Sequence, residues 1–64
     1  MKPRTRAAAE IVYLTAKYWR EERAPNLQSA FDLACMTVVL DATDLESARD
    51  VLSYKFGVDV NLGK

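Results

Sequence analysis

The chain has 64 residues, half of them hydrophobic, and a net charge of zero, with one cysteine and no histidine. That composition is globular rather than disordered, and a chain this short forms one small domain that buries roughly 60% of its unfolded surface. The single cysteine excludes an internal disulfide, and without histidine there is no structural zinc set. Small scaffolds without those staples stabilise themselves by self-association, so a homodimer is the expected state.

The charge is unevenly spread. Residues 1–24 carry six cations against three anions, and residues 25–64 carry three cations against six anions. Either the halves neutralise each other within or between subunits, or a basic face is kept for binding.

Helix 1 is predicted over about 5–23, with Thr5 as N-cap and Pro3 upstream, where it interrupts nothing. Ala7, Ala8 and Ala9 favour helix. At ~100° per residue Ala8, Ile11, Val12, Thr15, Tyr18 and Trp19 form its apolar side. Arg6, Tyr13, Lys17 and Arg20 form the opposite stripe, which Lys2 and Arg4 extend as an N-terminal arm. Lys17–Glu21 and Arg6–Glu10 are i,i+4 spacings that would pair on a solvated face. Pro25 disfavours helical geometry at Ala24 and ends the helix.

Helix 2 is predicted over about 27–41, with Asn26 as N-cap and a core line of Leu27, Ala30, Phe31, Ala34 and Val38. Its far side turns apolar at Met36 and Val39, flanked by Leu33 and Leu40. Two readings follow: these four residues are an association patch, or helix 2 is the central helix between the other two. The β-branched run over 36–40 also suits a short strand.

Thr43 and Glu46 have capping-box spacing, which starts helix 3 over about 44–56 with Leu45, Ala48, Leu52 and Phe56 as its core line. Gly57 suits the residue after the helix. Residues 58–62 alternate apolar and polar, as a strand does. The expected fold is therefore an all-α domain of three helices with an extended C-terminal tail. The alternative is a small α+β dimer in which the tail pairs between subunits.

The site inventory argues against catalysis. Acid–base and nucleophilic mechanisms rest most often on histidine or on a nucleophile with a neighbouring base, and Cys35 lacks an imidazole partner. Asp41, Asp44 and Glu46 lack the glycine and terminal glutamate of a calcium loop. Both glycines lie near the C-terminus, so no glycine-rich phosphate loop exists. No catalytic residue, metal site or cofactor is expected, and no motif identifies a family.

What remains is binding. The expected function is a non-enzymatic regulator or inhibitor that docks another protein through a helical surface. The candidate surfaces are the basic face of Arg4, Arg6, Tyr13, Lys17 and Arg20, and the apolar patch of Leu33, Met36, Val39 and Leu40. The alternative is a DNA-binding transcriptional regulator using the basic arm and helix 1. The lone cysteine points to a reducing, cytoplasmic setting, and no stretch approaches the ~18 apolar residues of a membrane span.

Overall fold

The structure, a computed structural model, describes residues 2–62. It contains α1 (Arg6–Arg20), α2 (Leu27–Cys35) and α3 (Ala42–Phe56) and, among the described residues, no strand. The protein is a small all-α domain. No helix among the described residues is long and apolar enough to cross a membrane.

The central helix is α1, which packs against both α2 and α3, while α2 and α3 do not pair with each other. Ala8 and Ile11 of α1 meet Leu27, Phe31 and Ala34 of α2, Ala48 and Leu52 of α3, and Val60 of the tail in one core. Ala8, Ala34 and Ala48 are fully buried, and their small side chains let the helices approach closely. The reading of helix 2 as the central element is thereby corrected. Its apolar far side reflects where the chain leaves the helix.

α1 begins as the sequence predicts. The Thr5 hydroxyl accepts from the Ala8 amide at 3.1 Å. The helix closes at Arg20, three residues before the predicted end. Glu22 takes a left-handed φ of 59°, the Glu22 amide donates to the Trp19 carbonyl and the Arg23 amide to the Tyr18 carbonyl. That pair of bonds is a Schellman closure, here built on a residue with a β-carbon. The Arg23 guanidinium lies 5.6 Å from the Tyr18 ring centre and supplies the contact that usually seals such a closure.

α2 also starts as expected, with the Asn26 side chain accepting from the Ser29 amide at 2.8 Å. It ends at Cys35 rather than at 41. The Met36 and Thr37 amides donate to Leu33 and Ala34, three residues back, and the Thr37 hydroxyl donates to the same Ala34 carbonyl at 2.8 Å. This tightened last turn satisfies the orphan carbonyls, and the β-branched run beyond it gains little from helix. Residues 39–41 continue without regular structure, so the segment is neither helix nor strand.

α3 is capped by Asp41, not by Thr43. The Asp41 side chain accepts from the Asp44 amide at 2.9 Å, and the Asp44 carboxylate accepts from the Asp41 amide at 3.2 Å. The capping box therefore sits two residues upstream of the Thr43–Glu46 pair, because aspartate outranks threonine as an N-cap. Gly57 ends the helix at φ 70°, as its placement predicts.

The tail is extended and docks within the same chain. Val60 is buried in the core and Leu62 packs against it. The Gln28 side-chain amide takes the role of a ladder partner: it accepts from the Asn61 amide and donates to the Asn61 carbonyl at 3.1 Å. Ser53 fixes Asp59 with a 2.7 Å hydrogen bond. The alternating pattern thus meets an intramolecular clamp.

Candidate binding surfaces

Arg6, Tyr13, Lys17 and Arg20 lie along one helix, α1. Arg6, Tyr13 and Arg20 are exposed and Lys17 is half-buried, with Tyr13 at 59% exposure. Among the described residues none of the three cations has a carboxylate partner. Neither pair expected from i,i+4 spacing, Arg6–Glu10 or Lys17–Glu21, forms among the described residues, and Glu21 turns instead to Arg23 at 3.2 Å. Arg20 uses Nε on the Ala16 carbonyl at 3.4 Å.

Arg4 departs from this face. Its amide donates to the Ser47 hydroxyl at 2.8 Å, and its guanidinium lies 3.5 Å from the Asp50 carboxylate. The arm is thereby tied onto α3 instead of extending the basic stripe. Ser47, which lies outside the predicted core line of α3, is buried where it receives this arm.

The carboxylates of the C-terminal half are engaged differently. Asp41 and Asp44 cap α3, Asp44 also accepts from the Thr5 hydroxyl at 2.6 Å, Asp50 receives Arg4 and Arg49, Asp32 receives Gln28 at 3.0 Å and Asp59 receives Ser53. The Thr5 hydroxyl and then the Asp41 amide hold the Asp44 carboxyl below its ordinary 3.8. Among the described residues, mutual neutralisation of the two halves therefore reduces to one contact, Arg4–Asp50. The basic charge of α1 stays uncompensated at short range.

The second predicted surface divides. Met36 and Val39 are 82% and 97% exposed, whereas Leu40 packs against the core and Leu33 is half-buried. Val38, assigned to the core line, does pack inward.

The structure brings together one group that spacing along the chain did not reveal. Ala16, Trp19 and Arg20 of α1 and Lys55 and Phe56 of α3 line a groove of about 230 Å³. The Trp19 and Phe56 rings stand edge to face, 5.4 Å apart at 86°, a favoured aromatic geometry. Trp19 was expected in the core, yet 39% of it is exposed. On another side of Trp19 a shallower concavity of about 420 Å³ is lined by Glu22, Arg23, Ala24 and Pro25. The signal that was available is Trp19 beside Arg20 on one helix and Lys55 beside Phe56 on another; their union depends on how α1 and α3 cross.

Cys35 is half-buried, and burial first, then the charge of Asp32, pushes its thiol pKa up. Both effects disfavour the thiolate, which is the nucleophilic form of cysteine. Among the described residues no three metal-ligating side chains converge. No family model, no curated protein and no solved structure matches this chain.

Proposed function

We propose that the protein is a non-enzymatic binding module, a regulator or inhibitor that lays the basic face of α1 on an acidic surface of a partner protein. One observation carries this reading. Arg6, Lys17 and Arg20 have no carboxylate partner among the described residues, while the carboxylates of the other half are largely held in caps and tethers. Uncompensated surface charge of one sign steers association with the opposite sign and fixes orientation. Tyr13, an exposed aromatic in the middle of the stripe, adds contact area of the kind that anchors interfaces. Tethering of Arg4 to Asp50 takes one cation from the arm that a DNA-binding reading needs.

Self-association belongs to the other surface. Met36 and Val39 are the apolar side chains that a second copy would cover, and the single thiol of Cys35 suits a reducing, cytoplasmic setting.

The test is affinity capture from lysate with three baits: the native protein, the Lys17→Glu/Arg20→Glu variant and Met36→Asp. The captured protein is expected to disappear with the charge-reversed bait and to remain with Met36→Asp. Loss with Met36→Asp alone, or salt-dependent binding of duplex DNA, contradicts the reading. Light scattering of Met36→Asp checks the self-association surface in the same samples.

A further inference from the structure

We infer that the groove between the C-terminal ends of α1 and α3 is an anchor site for a single aliphatic side chain carried on an acidic peptide segment of a partner protein. This rests on the reading of α1 as a surface for acidic proteins, and it names the part of that surface that supplies an apolar contact.

Size fixes the occupant first. At about 230 Å³ the groove falls below the ~300–1,000 Å³ of small-molecule and cofactor pockets. It suits one side chain. Its floor and wall are Ala16, Trp19 and Phe56, and the edge-to-face pair leaves ring surface open in the exposed part of Trp19. Tryptophan and arginine are the residue types most enriched at binding hot spots, and here they are neighbours in one groove.

Charge fixes the flanks. Arg20 and Lys55 line the groove and no carboxylate does. Both cations sit in the last turn of their helices, where each meets a partial negative charge of roughly half a unit from the helix dipole. Two unit charges exceed two half charges, so the rim remains positive. Arg20 commits only Nε to Ala16, and its terminal nitrogens have no protein partner among the described residues. A carboxylate on either side of the inserted side chain would meet a charged donor. The neighbouring concavity, which contains Glu22, lacks this uniform sign.

The experiment is a residue-resolved NMR titration of the intact chain, read at the Trp19 indole, which is unambiguous because the chain has one tryptophan. The probes are a capped pentapeptide with central leucine and flanking glutamates, the same peptide with glycine for leucine, and the leucine peptide with flanking lysines. The glutamate–leucine peptide is expected to shift Trp19, Ala16 and Lys55 signals. The other two peptides bind more weakly, and Lys55→Glu weakens the first by about five-fold, the combined effect of losing one exposed attraction and adding one repulsion. Shifts confined to Arg6, Tyr13 and Lys17 would overturn the groove and leave the basic face standing. Equal binding of the glycine peptide would overturn the anchor. No shift with either glutamate peptide would overturn the groove and the proposed function together.

Discussion

α1 and α3 are both fifteen residues long, yet they use their polar groups in opposite ways. α3 turns its carboxylates into structure: a reciprocal cap at its start, a bond to Thr5 and a tether to the N-terminal arm. It also satisfies its buried hydroxyl, since Ser47 accepts from the Arg4 amide. α1 packs against both other helices, but among the described residues it leaves its outer cations without acidic partners and one inner hydroxyl, Thr15, unpaired. The lesson is that charge fixed in caps serves folding, whereas charge left alone on a well-packed helix is available to a partner.

The two hydroxyls give the sharpest way to break this contrast. Removing Ser47 with Ser47→Ala strands the Arg4 amide and should cost about 1–2 kcal/mol in urea unfolding. Thr15→Val, in contrast, deletes an unpaired group that is fully buried and should raise stability by about 1 kcal/mol. A loss in Thr15→Val would mean that the hydroxyl has a partner, and the contrast between the helices would weaken.

The caps come next. Asp41→Ala removes the N-cap of α3 and should cost about 1 kcal/mol. At the other ends, Gly57 adopts its left-handed conformation freely, whereas Glu22 closes α1 in the same region with a side chain attached. Glu22→Gly should therefore stabilise by about 0.5–1 kcal/mol, read as a raised melting temperature. An unchanged or lower value would show that the Glu22 side chain does more than tolerate the turn.

The smallest effect concerns pH. A carboxyl held below its unfolded pKa contributes stability above the unfolded value and loses it as pH falls through the folded one, because the unfolded chain binds the proton first. For Asp44 the stability should thus be flat above the ordinary carboxylate range and fall as acid is added below about 3.8. Thr5→Val removes the hydroxyl that lowers this pKa most and should flatten the fall, as measured by circular dichroism across an acid titration.

Much of the fold was legible because it rests on local chemistry. The caps Thr5 and Asn26, the terminator Gly57 and the core lines of the three helices, Trp19 excepted, follow from spacing and residue type. What was not legible depends on competition or on contacts far apart in sequence. Asp41 displaced Thr43 as cap although both patterns are present. Helix 2 stopped at Cys35 because Thr37 returned its hydroxyl to Ala34. The tail lost its strand partner to Gln28, thirty-three residues away. The same holds for the surfaces: the α1 stripe is a single-helix feature and could be read off, while the Trp19–Phe56 groove needs the crossing of two helices.

The most direct test of the central claim is urea unfolding of a chain carrying Arg6→Gln, Lys17→Gln and Arg20→Gln together. If these cations are free of structural duty, the helical signal is unchanged and stability falls by no more than about 1 kcal/mol, the share owed to cations near the C-terminal end of α1. A loss of several kcal/mol would show that the basic face holds the fold together, and would contradict its assignment as a surface for partners.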